Sequence, residues 1–171
     1  MITYQPAFDP YHAAFRVLRL SSLLSECEPI ERDRFRILDF LLAFPFFIEQ
    51  VKLKSEDRRF RAVSKKYHYL IPFADLPERS VLFQYMELPH RSAVDTFLRV
   101  GILSEDVQNG RISIKKSPDF SLELNQRIQE LNDSQSDLMD VLRSFCCDYE
   151  FLGSDGLKAR TGLMEFRYDS I

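Results

Sequence analysis

The 171-residue sequence is poor in the residue patterns from which most catalytic and cofactor sites are built. It has only five glycines, and none stands in a Walker-type or dinucleotide-type loop, so nucleotide hydrolysis by this chain alone is not expected. Its three histidines, His12, His68 and His90, are far apart and lack cysteine or carboxylate neighbours at metal-ligand spacing, so no zinc site and no cofactor is readable. Three cysteines, Cys27 and the adjacent Cys146 and Cys147, are an odd number without framework spacing, which points to free thiols in a reducing compartment. On a helix Cys146 and Cys147 point about 100° apart, which predicts small buried hydrophobes rather than a redox or ligand pair; Cys27, in a polar linker, reads as an accessible thiol. The longest apolar segment, Ile37 to Ile48, carries Asp39 and Pro45 and is too short to cross a bilayer. The first ten residues have neither the basic flank nor the apolar run of a targeting peptide. Together these absences predict a soluble, cytoplasmic protein without membrane contact or small-molecule substrate.

What is present is the balance of a folded chain, with 45% hydrophobic and 29% charged residues. Its net charge of -3 conceals a division: residues 1–51 carry -2, residues 52–116 carry +5 and residues 117–171 carry -6. A polyanion would meet the basic middle.

Asp9-Pro10 predicts a helix start, with a helix to about Leu24 whose apolar stripe is Tyr11, Phe15, Leu18 and Leu23, widened by Val17 and Leu20, and whose Arg16 and Arg19 face outward. A second helix from about Glu31 to Phe44 is almost wholly apolar after its first turns and reads as the central core helix, ended by Pro45. Phe46 to Val51 read as a short extra helix. Residues 52–66, basic and with few apolar anchors, read as a short exposed helix or a mobile loop. From Pro77 to Lys116 the order is helix (Glu78 to Leu88), a tight turn at Pro89-His90, helix (Ser92 to Val100), a Gly101 cap, then two short strands around Asn109-Gly110, a pair that signals a type I′ hairpin. Ile128, Leu131, Gln135, Leu138, Leu142, Phe145, Tyr149 and Leu152 follow in alternating three- and four-residue steps, a coiled-coil type of seam in which Asn132 to Ser136 are placed to break the helix. The fold class this predicts is mainly α with a small β-hairpin wing. It comprises one domain over residues 1–152, holding a winged helix-turn-helix at about 77–116 and a helical region at about 119–152, and then a tail, 153–171, ending in a strand through Met164, Phe166 and Tyr168.

The chemistry these elements carry points to binding. Lys52, Lys54, Arg58, Arg59, Arg61, Lys65 and Lys66, with Arg111, Lys115 and Lys116 on the wing, are candidates for sequence-independent phosphate contact, against the alternative of a solvated charged face. Specific base reading looks poor, because the helix that would enter a groove presents Asp95 among Arg91, Thr96 and Arg99. Asp39, Glu49 and Lys52 would be the material of a metal-dependent nuclease, but their spacing suits a helix rim better than a catalytic strand. The seam residues Ile128, Leu131, Leu138, Leu142, Phe145 and Tyr149 would either close the chain's own core or dock a partner helix.

Four stretches carry a resemblance: the opening Ala7-Phe8-Asp9-Pro10-Tyr11-His12, the leucine-rich first helix, the run Arg34 to Pro45 ending Leu-Asp-Phe-Leu-Leu-Ala-Phe-Pro, and Gly101-Ile102-Leu103. Together they look like the middle component of bacterial ABC-three-component systems, which include the Lamassu-type defence systems. The resemblance covers most of the chain through hydrophobic, structural motifs. It implies a noncatalytic, winged-helix (kite-like) subunit that accompanies an SMC-like ABC ATPase and a separate effector, often a nuclease, in defence against phages and plasmids. It carries over no catalytic residue. A different class of function fits the same wing: a free-standing transcriptional regulator that binds DNA as a dimer through Arg91 and Arg99.

Overall fold

The computed structural model describes residues 5–27, 29–114 and 120–165. Helix α1 (Pro10–Leu24) starts where the sequence places it. The Asp9 carboxylate accepts hydrogen bonds from the amides of Tyr11 (2.8 Å) and His12 (3.2 Å), and Pro10 occupies the first position, where no amide is needed. The buried side of α1 keeps Leu18 and Leu23 of the expected stripe, with Val17 and Leu20 beside them, but does not take in Tyr11. Ala13, Val17, Leu20 and Leu24 are buried, Tyr11 is 86% exposed, and Arg16 and Arg19, expected outside, lie inside the molecule. The reason is tertiary, because α2 (Arg32–Ala43), α5 (Glu87–Arg99), α6 (Leu122–Ser134) and α7 (Ser136–Cys147) all pack on α1.

Helix α2 is the core helix. Phe35, Ile37, Leu38, Phe40 and Leu41 are withdrawn from solvent, and the Phe40 ring meets Phe44, Phe47 and Phe83 at centroid distances of 5.4, 5.6 and 5.5 Å. Pro45 ends the helix and opens a 3-10 helix, Pro45–Gln50. The basic segment is a packed element rather than a loose loop: a 3-10 turn, Ser55–Asp57, leads into α3 (Phe60–Lys65). Buried Phe60 and Ser64 anchor α3, and the Ser64 hydroxyl donates to the Pro45 carbonyl at 3.0 Å.

Two details of the helix-turn-helix expectation change. Helix α4 (Arg79–Tyr85) breaks at Met86, and Pro89 and His90 sit in the first turn of α5 instead of in the turn before it. Proline is tolerated there because the amides of a first turn have no intrahelical partner to lose. At the other end of α5 the Gly101 amide donates to Leu98 (3.1 Å) and the Ile102 amide to Phe97 (2.9 Å), with Gly101 at φ 76°: a Schellman cap.

The hairpin joins β2 (Leu103–Glu105) to β3 (Arg111–Ile114), but its turn is longer than the two-residue I′ form. Asp106 organises residues 106–110: its carboxylate accepts from the Gln108 amide and its carbonyl from the Gly110 amide, at 2.9 and 2.8 Å. Only Gly110, at φ 67°, is left-handed; Asn109 instead accepts from the Arg111 amide through its side chain. A third strand, β1 (Ile30–Glu31), pairs antiparallel with β3, giving the order β1-β3-β2 with Ile112 opposite Ile30 and Glu105. Two residues are too few to show periodicity, so β1 was invisible in the sequence.

The long C-terminal helical region divides at Gln135 into α6 and α7. Chain after α7 folds back as α8 (Leu157–Thr161), with Leu157 and Thr161 buried, so the expected tail contributes to the core. Met164 lies in no strand, while Phe166 and Tyr168 fall outside the described residues. Among the described residues no helix is long and apolar enough to cross a membrane.

Candidate interaction surfaces

Three buried arginines hold the elements together. Arg16 donates to Asp39 through Nε (2.6 Å) and Nη2 (3.3 Å) and to the Ala7 carbonyl (3.1 Å), while His90 Nδ1 lies 3.1 Å from the same carboxylate. Burial by itself would raise the Asp39 carboxyl, but Arg16 and His90 outweigh it and hold the group below the ordinary carboxylate range. Asp39 is thus a structural link between α1, α2 and α5, and Glu49 faces His68 at 3.1 Å; the structure does not assemble them with Lys52 as a nuclease centre. Arg34 donates from Nη1 to the carbonyls of Phe145 (3.2 Å), Cys146 (2.8 Å) and Tyr149 (2.7 Å), capping the end of α7, and its Nε reaches Glu31 at 2.8 Å. Among the described residues Arg19 has only uncharged partners: Asn132 Oδ1 (2.8 Å), Gln135 Oε1 (2.7 Å) and Met139 Sδ (4.0 Å). Burial without a carboxylate lowers its pKa to about 10. The polar residue that interrupts the seam, Gln135, receives this guanidinium.

The basic candidates are spread over several elements, and some are already committed. Lys54 donates to the Asp148 carbonyl at 2.8 Å with its ammonium 4.4 Å from the Tyr149 ring centroid, Lys66 pairs with Asp137, and Arg111 reaches Glu31 at 3.2 Å. Lys52, Arg58, Arg59, Arg61 and Lys65 are exposed and form no ion pair among the described residues. Lys115 and Lys116 lie outside the described residues. On the exposed side of α5, Asp95 is tied to Arg32 at 3.1 Å, and Arg91 and Arg99 are exposed.

The seam divides in the same way. Leu138, Leu142, Phe145 and Tyr149 of the seam are core residues, so of the two readings open for the seam these four take the one that closes the chain's own core. They pack toward α2 and α3, with the Phe145 ring 5.9 Å from Phe60 and 5.1 Å from Tyr149. Ile128 and Leu131, on α6, are only half-buried. No residue of α6 is buried, although the helix is amphipathic. Beside it lies a groove of about 760 Å³, walled by Phe15 of α1, Phe44 and Phe46 after α2, Leu70, and Leu124 and Leu131 of α6, with Arg19 and Arg127 as cationic members.

The profile of the family described as ABC-three component (ABC-3C) system Middle Component 5 matches residues 2–169, all but the first residue and the last two. The chain belongs to this family. No curated protein and no solved structure matches it.

In this middle component the cysteines depart furthest from expectation. Cys27 and Cys147 form a disulfide with Cα atoms 5.4 Å apart, and the three sulfurs of Cys27, Cys146 and Cys147 lie within 4.8 Å of one another. Cys27 is therefore not a free thiol, and the adjacent pair does converge on one place. Divergence on the helix is overcome because the partner is the loop between α1 and β1, which reaches Cys147 from outside the helix while Cys146 points inward. Burial pushes the Cys146 thiol up to about 11. The groove residues Phe15, Phe44, Phe46 and Leu70 had no signal in the sequence beyond being apolar, since only tertiary packing places them opposite α6.

Proposed function

We propose that this middle component is a noncatalytic subunit that bridges or regulates an SMC-like ABC ATPase and its effector, a nuclease, in defence against phages and plasmids. The observation that carries the reading is α6: an amphipathic helix with no buried residue keeps an apolar side for something outside the chain. A three-component system supplies such partners, and the reading of the chain as a binding subunit accords with the use of Arg16, Arg34 and Asp39 as links between its elements. The winged-helix-like (kite-like) reading is supported by the order α1-β1-α2, later α5-β2-β3, with β1 completing the sheet of the hairpin.

Co-expression with the ATPase and effector encoded alongside it, followed by affinity purification and intact-complex mass measurement, tests the proposal. A stable assembly containing a coiled-coil ATPase is expected. A lone symmetric dimer that protects a defined DNA sequence, and loses it with Arg91→Ala or Arg99→Ala, would replace this reading by the regulator.

Nonspecific DNA contact through Lys52, Arg58, Arg61 and Lys65 belongs to the same proposal, since these exposed cations are unspent on ion pairs among the described residues. In the assembled complex the triple variant Arg58→Ala/Arg61→Ala/Lys65→Ala should flatten the log-log dependence of DNA affinity on salt by about 2 to 3. An unchanged slope would take DNA off this segment.

A further inference from the structure

We propose that the groove bounded by α1, α6 and the chain around Leu70 seats an acidic, amphipathic helical segment of a partner protein. This rests on the bridging reading and adds where a partner docks and what the docked segment is made of. Leu124 and Leu131 lie seven residues apart on α6, on one side of the helix and both half-exposed along the groove. Phe15, Phe44 and Phe46 form the facing wall. At one end Leu70 and Pro72 enter the wall from a stretch in which Tyr69, Leu70, Ile71 and Phe73 are all exposed. A single exposed apolar side chain is ordinary, but a run of them continuing an apolar groove marks an interaction surface.

Charge decides what kind of segment fits. Among the described residues no aspartate or glutamate lines the groove, whereas Arg16, Arg19 and Arg127 do. Arg16 is neutralised by Asp39; Arg19 rests on neutral amides and a thioether, and Arg127 makes no ion pair among the described residues. Two cationic groups in an apolar, partly desolvated wall favour an acidic occupant. Extent decides against a small acid, because the apolar surface runs out of the cavity over the exposed 69–73 stretch. A helix with apolar anchors at i, i+4 and i+7 and acids between them covers that length.

The test uses the complex assembled with the co-expressed ATPase and effector. A photo-reactive benzoylphenylalanine replaces exposed Tyr11, and Arg127→Glu, Arg127→Lys and Leu131→Asp are made in parallel, with circular dichroism melting to confirm folding. The expected results are a cross-link to a partner peptide with acids and apolar residues at helical spacing, and partner retention lowered about tenfold or more by Arg127→Glu and Leu131→Asp but kept by Arg127→Lys. An intact complex indifferent to Arg127→Glu, a cross-link to a basic or non-amphipathic peptide or within the chain itself, or a small acid seen bound to the groove by native mass spectrometry would overturn the groove assignment alone. A folded wild-type chain that retains no partner would instead overturn the bridging reading, and the groove's occupant with it.

Discussion

At the scale of single residues, the ionised groups inside this protein act as ties between helices that share no sequence neighbourhood. Asp39 is the plainest instance, since replacing it leaves Arg16 buried without its counter-charge. Asp39→Ala should therefore destabilise the fold by about 3–5 kcal/mol in urea or thermal unfolding, and joint replacement of Arg16 and Asp39 by apolar residues of similar volume should recover most of it. The same pair sets an acid limb. The folded Asp39 carboxyl titrates lower than its unfolded counterpart at about 3.9, so its contribution is complete above that value and is lost as pH falls through the folded value. Unfolding free energy measured from pH 6 downward should fall for the wild type and flatten in the Arg16/Asp39 apolar double variant. Asp39 was legible as a charged interruption of an apolar helix, but nothing near it in sequence announced Arg16 or His90.

At the scale of elements, the starts and stops follow local chemistry and the stability follows burial. Gly101 ends α5 at φ 76°, and a Cβ there would meet no atom within 4 Å, so a side chain is opposed by backbone strain alone. Gly101→Ala should cost about 1–2 kcal/mol, read as a shift of the thermal midpoint with the helix content unchanged. Helices α6 and α7 are adjacent and of similar length, yet α7 buries Leu138, Met139, Val141, Leu142, Phe145 and Cys146 while α6 buries none. Amide exchange should separate them: α6 amides should exchange through local opening and α7 amides only near the global unfolding free energy. Equal protection would show that α6 is held by more than its own contacts. Binding of partners should protect α6 and leave α7 unchanged, since only α6 has an apolar side still open.

Across the whole molecule, the Cys27–Cys147 bond ties the loop after α1 to the end of α7 over 120 residues of sequence. A cross-link of that span constrains the unfolded chain strongly, and Cys27→Ser should lower stability by about 4–5 kcal/mol in the chain-entropy account, with the wild type in reductant falling to the same midpoint. Identical midpoints for oxidised wild type and Cys27→Ser would show that the bond does not form in solution. Cys146, buried beside it, should stay unmodified by alkylating reagents at neutral pH in the folded protein, whereas Cys147, on the surface, should be alkylated after reduction.

Sequence by itself determined the helical class, the capped start of α1 at Asp9-Pro10, the end of α2 at Pro45, the cap at Gly101, the position of the hairpin and the break near Gln135. Each of these is settled by groups a few residues apart, where a cap, a missing amide or a positive φ leaves little choice. The tertiary structure alone decided that Arg16 and Arg19 lie inside, that β1 completes the sheet, that Cys27 meets Cys147, and that most of the seam closes the core while Leu124 and Leu131 open on a groove. These depend on partners tens to more than a hundred residues away, and an apolar or charged side chain has the same local signature whether its partner is its own core or another molecule.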